Sequence, residues 1–342
     1  MNQRILVTGA AGFIGSHVSA MLLARGDEVV GLDNFDPYYA PASKRANAQE
    51  VASGPNGRAF RLVEGDIRDR ALVEKLFAEG IDAVVHLAAL VGVRASLEIP
   101  HDYLDVNLTG TLNLLEAARR RPVRNFVLAS TSSAYGNTAI QPFIETDPAD
   151  RPLAPYAASK RAAEMLAHSY HHLYGQDVTV LRFFTVYGPR NRPDMMAYKV
   201  LDSIFTGKQI PLYGAGDMFR DWTYVEDIAR GVLQAVDRPL GYEIMNLGRG
   251  QPVRLLDFIR CMEEFAGRKA HLVPQPKVDS DALATSADIE KARRLLGYSP
   301  EVSVREGVGR LWRWYARALS VDEKPAAPAR PRPKLGIVDG QR

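Results

Sequence analysis

The sequence predicts an α/β fold, a doubly wound parallel sheet with a smaller α/β domain after it. Three observations carry this. Short apolar runs alternate with helical patterns through the first half; a glycine-rich turn joins the first run to the first helix; and acids or hydroxyls stand just past the ends of several runs. Parallel strands need a crossover connection, so strand and helix alternate along such a chain, and ligands gather beyond the carboxyl ends of the strands.

Ile5–Thr8 reads as the first strand and Phe13–Arg25 as a helix stopped by Gly26-Asp27. Further strands are expected at Glu28–Leu32, Phe60–Glu64, Ala83–Leu87, Asn125–Ala129 and Val178–Phe183. Helices are expected near Arg70–Ala78, His101–Arg120 and Tyr156–Tyr174. The second half changes character. Gly188–Asp194 reads as an exposed loop, followed by short strands at Ile210–Tyr213 and Glu243–Leu247 and helices at Tyr224–Val236, Leu255–Ala266 and Val304–Ala318. The expected organisation is a first domain over residues 1–184, a second over 185–319 from which the chain is free to cross back, and a tail over 320–342 punctuated by Pro325, Pro328, Pro331 and Pro333.

The 342 residues are 46% hydrophobic and 24% charged, ordinary for a globular chain with a sizeable core. A net charge of +3 without a basic run gives no footprint for nucleic acid. One cysteine, Cys261, excludes an internal disulfide. No stretch approaches the ~18–20 apolar residues that span a bilayer, and Met1–Arg4 leads straight into a strand, so a cytoplasmic protein without a leader is expected.

Gly9-Ala10-Ala11-Gly12-Phe13-Ile14-Gly15 lies between the first strand and the first helix. Glycines let backbone approach a pyrophosphate, and the helix N-terminus offers N–H groups to it. A glycine trio alone is equally a tight turn. Here an acid, Asp33, follows at about the 20-residue distance expected of a Rossmann dinucleotide site. Asp33 suits the two ribose hydroxyls of NAD and opposes the extra phosphate of NADP, and the next residue, Asn34, adds no positive charge. Gly65-Asp66-Ile67, past the third strand, is a candidate contact for the adenine, or else a surface turn.

Tyr156 and Lys160 stand four apart on a helix, so they share a face. Of 14 tyrosines only Tyr156 has lysine at that spacing. An ammonium and an oxidised nicotinamide both favour the phenolate, so a lowered tyrosine pKa is expected, as removal of a sugar hydroxyl proton requires. The alternative is a surface ion-spacing pair. Upstream, a strand runs into Ser130-Thr131-Ser132-Ser133, a candidate ligand edge or a hydroxyl-rich turn. His168, His171 and His172 lack acid partners at a metal-binding spacing, so no metal is expected. His86 is expected to pack at a strand end, and Trp312 and Trp314 to be packing residues.

Together Thr8–Gly15, His86-Leu87-Ala88-Ala89, Tyr156/Lys160 and Arg220-Asp221-Trp222-Thr223-Tyr224 resemble the extended short-chain dehydrogenase/reductase family. Leu32-Asp33-Asn34-Phe35 with Tyr38-Tyr39, Gly92-Val93-Arg94, Leu181–Pro189 and Arg192-Pro193-Asp194-Met195 resemble its UDP-glucuronate 4-epimerases. The resemblance runs from Arg4 to about Ala318. It implies NAD held along Leu87-Ala88-Ala89 as well as the glycine turn, and Thr131 bonded to the reacting hydroxyl. It further implies Ser132, Ser133, Thr185 and Arg192 around a sugar carboxylate, Arg220 at the diphosphate, Arg94 and Tyr213 at the substrate, and a homodimer through the helices His101–Arg120 and Tyr156–Tyr174. The implied reaction exchanges UDP-glucuronate and UDP-galacturonate through a 4-keto sugar. The family's decarboxylases and dehydratases carry an acid where Ser132 or Ser133 stands. A UDP-glucose or UDP-N-acetylhexosamine 4-epimerase, a UDP-glucuronate decarboxylase and a non-enzymatic NAD sensor are the rival readings. One departure stands out: a Gly-Asp pair usual near 277–281 is replaced by Pro276-Lys277-Val278-Asp279-Ser280.

Overall fold

The computed structural model describes residues 2–276 and 284–320. Seven parallel strands form the central sheet: β1 Arg4–Thr8, β2 Glu28–Asp33, β3 Phe60–Glu64, β4 Ala83–His86, β5 Asn125–Thr131, β6 Val178–Phe183 and β7 Tyr242–Leu247. Their spatial order is β7-β6-β5-β4-β1-β2-β3, so the winding reverses between β1 and β4, where a crevice opens at the carboxyl edge. In-register pairs such as Val7–Val85 and Leu128–Val180 hold the centre. β4, β5 and β6 are buried along their whole length, which is why they read as continuous apolar runs rather than alternating ones.

The two faces have separate cores. Ile5 and Val7 point to the side where Phe13–Arg25 packs on Val225–Asp237, burying Val18, Leu22, Ile228 and Val232. Leu6 points to the other, against Leu114, Leu115, Ala163 and Ala167 of the helices Gly110–Arg120 and Pro155–Tyr174. Phe13–Arg25 ends where expected: Gly26, at φ +100°, returns its N–H to the carbonyls of Leu22 and Leu23.

Beyond β6 the chain builds a smaller core from Tyr187, Trp222, Phe258 and Leu311, with Trp222 stacked on Phe258 at 3.8 Å. Three two-stranded pairs frame it: Thr185–Tyr187 with Trp222–Tyr224, Phe219–Arg220 with Val253–Arg254, and Ile210–Tyr213 with Leu272–Gln275. Later in the chain, β7 completes the central sheet beside β6. Trp312 stacks on Phe205 and Trp314 packs against Tyr315.

Two differences from expectation matter at the site. His101–Arg120 is not one helix. It is Pro100–Leu104, a wide π turn over Asp105–Thr109, and Gly110–Arg120. The wide turn sets Asn107 so that its amide bonds the Leu90 N–H at 2.8 Å, the Leu90 carbonyl at 3.0 Å and the Ser159 hydroxyl at 2.9 Å. Pro41–Ser53 is a helix that the sequence does not announce, since it buries Lys44 and Asn47 as well as Ala48 and Val51 and so shows no apolar stripe. Residues 277–283 and 321–342 lie outside the described residues, and with them the 277–280 departure and the tail.

Candidate functional site

The ends of β1 to β6 open on one cavity of about 390 Å³. Every residue expected to hold the dinucleotide is on its wall. Gly9 sits at φ +70°, and a Cβ there would lie 2.9 Å from the Ala88 nitrogen. At Gly15 a Cβ would lie 2.0 Å from the Gly9 carbonyl oxygen. Side chains at either point would push the first turn of Phe13–Arg25 out of place, so the cradle depends on their absence. Asp33 accepts from the Ala11 N–H at 3.1 Å and the Phe35 N–H at 2.8 Å, which fixes the acid at the rim of the turn. Burial would raise the Asp66 carboxyl, but the Arg68 and Asn34 bonds outweigh it and hold the group down to about 2. These walls fit a dinucleotide.

The reacting end lies between β5 and Pro155–Tyr174. Tyr156 is the second residue of that helix; Lys160, one turn on, is 3% exposed. Thr131 ends β5 beside Tyr156, where its side chain favours the phenolate. Tyr103 packs edge-on to the Tyr156 ring at 6.2 Å. The protein's own groups do not by themselves lower the tyrosine pKa. Burial pushes the Tyr156 phenol up, and Arg192 and Thr131 only partly offset it. Burial also pushes the Lys160 ammonium down to about 8, against the favourable charge of Glu164. Burial acts on both groups here, an effect that helical spacing does not reveal.

A buried ion cluster anchors this edge. Glu164, two turns after Tyr156 and fully buried, takes the Ser130 hydroxyl, the Arg182 Nε at 3.0 Å and Nη2 at 2.7 Å. It thereby ties the Tyr156 helix to β5 and β6. His86 is buried at the end of β4 and neutral. Thr111 gives its own proton to the Asn107 carbonyl at 2.6 Å, so it accepts from His86 Nε2 at 2.9 Å, and Nδ1 accepts from Thr8 at 2.7 Å. The Thr8 oxygen in turn takes the Ala88 N–H at 3.1 Å, fixing the loop after β4.

Ser132, Ser133, Thr185 and Arg192 line the same cavity. Arg192 is not presented to it bare: its Nε and Nη2 each reach Asp194 at 2.9 Å. Arg94, Tyr213 and Arg220 are not among the walls of this cavity. Arg94 lies 4.1 Å over the Tyr213 ring, and Arg220 bonds the Phe219 carbonyl at 2.8 Å. The sequence reading missed Lys44, whose ammonium stands 3.9 Å from Asp33 on the cavity wall and supplies a positive charge that Asn34 lacks. Tyr38, marked in the sequence only as part of the resemblance and given no site role, donates its hydroxyl to Asp194 at 3.3 Å. Both follow from an unannounced loop and helix after β2. Among the described residues no cluster of side chains suits a metal ion. His168 and His171 instead pack against Tyr242.

A glycine cradle, an acid at the end of β2, and a phenol with hydroxyl and ammonium at one crevice define a nicotinamide-dependent enzyme of the extended short-chain dehydrogenase/reductase class. Residues 5–248 match the model of the NAD dependent epimerase/dehydratase family, and the chain belongs to that family. A UDP-glucuronate 4-epimerase of Thermodesulfobacterium geofontis is 45% identical over 90% of this chain and 95% of its own. The UDP-glucuronic acid 4-epimerase of Bacillus cereus, solved with UDP-glucuronic acid and NAD, superposes with a TM-score of 0.85 at 35% identity, covering 92% of this chain and 99% of that one. The UDP-glucose 4-epimerase of Thermotoga maritima, solved with UDP-glucose, gives 0.83 at 30% identity over 92% and 99%.

Proposed function

We propose that the protein interconverts UDP-glucuronate and UDP-galacturonate by oxidation and re-reduction at C4. The observation that carries this is the shared wall: Tyr156 and Thr131 meet Arg192, Thr185, Ser132 and Ser133 in the cavity that also holds the glycine cradle. NAD⁺, held by the glycine turn Gly9–Gly15 and Asp33, would supply reversible hydride exchange at C4 of the sugar. Tyr156 accepts the O4 proton and later returns it, with Thr131 bonded to both oxygens and Lys160 supplying positive charge nearby. Between the two transfers the 4-keto sugar swings about its link to the diphosphate. Arg192 and the hydroxyls of Ser132, Ser133 and Thr185 hold the sugar carboxylate. Hydroxyls rather than an acid at 132 and 133 favour epimerisation over decarboxylation, and the paired Tyr156 and Lys160 have no use in a sensor. Incubating the NAD-loaded protein with UDP-glucuronate and following the sugar by proton NMR tests the reading. UDP-galacturonate should accumulate to an equilibrium mixture without net CO₂; UDP-pentose as the main product would make the protein a decarboxylase.

Asp33 sets the cofactor preference in this proposal, despite the Lys44 ammonium beside it. Asp33→Ala should weaken NAD⁺ by roughly 10- to 100-fold, the worth of charge-assisted bonds, and narrow the gap to NADP⁺. Calorimetric titration reads both. NADP⁺ binding the unmodified protein more tightly than NAD⁺ would overturn the assignment.

The protein is further proposed to be a cytoplasmic homodimer; among the described residues no helix is long and apolar enough to cross a membrane. Leu173 and Met165, 64% and 59% exposed, project from the outer side of Pro155–Tyr174, next to Gly110–Arg120 with its exposed Leu112. Large apolar side chains in that density are what a second copy would cover. Leu173→Asp with Met165→Asp should halve the mass seen by sedimentation equilibrium; an unmodified protein that already sediments as a monomer sinks this.

A further inference from the structure

Arg192 is the cation proposed above to grip the sugar carboxylate, and its grip is already in use. Nε and Nη2, the edge that makes a parallel two-bond fork, donate to the two oxygens of Asp194 at 2.9 Å each. Asp194 is two residues away, so little chain entropy opposes the pairing. Both groups are half-buried, with side chains 19% and 33% exposed. Burial works against the Asp194 anion, but Arg192 overcomes it and holds the carboxyl below its ordinary range.

We propose that Asp194 is a resident counter-ion that stands in the place of the sugar carboxylate, making it a specificity-determining residue. A substrate carboxylate must exchange with it for the guanidinium edge; an uncharged hexose cannot, and leaves the pair closed. The exchange strands neither charge. The Tyr38 hydroxyl donates to Asp194 Oδ2 at 3.3 Å, and the Lys199 ammonium, on the helix Met196–Thr206, also favours the Asp194 anion. Arg192 passes from one carboxylate to another. The cation is thus never left bare in a half-buried cavity while the enzyme waits for substrate, and any ligand that lacks an anion at that point gains nothing from it. The proposal rests on the reading of Arg192 as the carboxylate's partner.

The test uses the NAD-loaded protein and compares Kd for UDP-glucuronate and UDP-glucose by calorimetry at low occupancy of turnover. Asp194→Asn keeps size and removes the competing charge. UDP-glucuronate should bind roughly three- to tenfold more tightly, shifting the ratio of the two constants by that factor, as removal of one half-exposed charge interaction does. Arg192→Ala leaves Asp194 facing the sugar carboxylate, so adding Asp194→Asn to it should restore part of the lost UDP-glucuronate affinity. Unchanged or weaker UDP-glucuronate binding in Asp194→Asn, with the loss in Arg192→Ala still confined to the acid, overturns the counter-ion proposal alone and makes Asp194 a support that orients Arg192. Equal losses on both sugars in Arg192→Ala remove the carboxylate reading and this proposal with it. Melting temperature within a few degrees of the unmodified protein guards against a folding explanation.

Discussion

Tyr156→Phe is expected to lower turnover of UDP-glucuronate by roughly 10²–10⁴-fold, the contribution of a positioned proton carrier, with little change in substrate affinity. The ring would still pack edge-on to Tyr103, so the cavity keeps its shape. What disappears is the phenolic oxygen, whose anion Thr131 favours. Burial opposes the phenolate, so the tyrosine works only where something offsets that penalty. Arg192 and Thr131 do so in part, and a bound oxidised nicotinamide adds positive charge. Initial rates by NMR and binding by calorimetry separate the two parameters. Turnover within a few fold of normal would remove Tyr156 from the chemistry.

The second large effect is expected at Arg192. Oxidising C4 of a glucuronate sets a ketone β to the C5 carboxylate, and such an acid loses CO₂ when the breaking C–C bond lies perpendicular to the carbonyl plane. An epimerase has to hold the carboxylate out of that alignment while the sugar turns over. A charge-assisted bond is worth about 1.5–3 kcal/mol, so Arg192→Ala should cost on the order of 10- to 100-fold in kcat/KM for UDP-glucuronate. The uncovered Asp194 adds to that loss. UDP-glucose should suffer much less. Part of the 4-keto sugar should also leave as UDP-4-keto-pentose with CO₂, the C5–C6 electron pair passing into the C4 enolate and then taking a proton. Carbon dioxide release and the ratio of the two kcat/KM values are the readouts. Equal losses on both sugars without CO₂ would favour a neutral-sugar epimerase.

Much of this protein is local in origin and therefore legible. Phe60–Glu64, Val178–Phe183, Phe13–Arg25 and Leu255–Ala266 are read with their observed bounds because strand length, helical periodicity and a stopping glycine all lie within a short window. The dinucleotide wall is equally local: three glycines at one turn, then an acid at the end of the next strand. Tyr156 and Lys160 share a face by helical spacing alone.

Other features are decided only when distant segments meet. Pro41–Ser53 carries no apolar stripe; it is held by Asn47 bonding the Ala11 carbonyl at 3.1 Å and by Lys44 facing Asp33. The break in His101–Arg120 serves Asn107, whose partners at Leu90 and Ser159 belong to two other elements. Glu164 reads as one more helical acid until Arg182, eighteen positions on, meets it from β6. The charge states follow the same division. The sequence by itself determined that the glycine turn, Asp33, Tyr156 and Lys160 gather at the crevice, because their residue types and spacing are local. Only the tertiary structure decided that Tyr156 and Lys160 are pushed toward their neutral forms and that Arg192 is already gripped by Asp194, because desolvation and ion pairing depend on everything packed around a group.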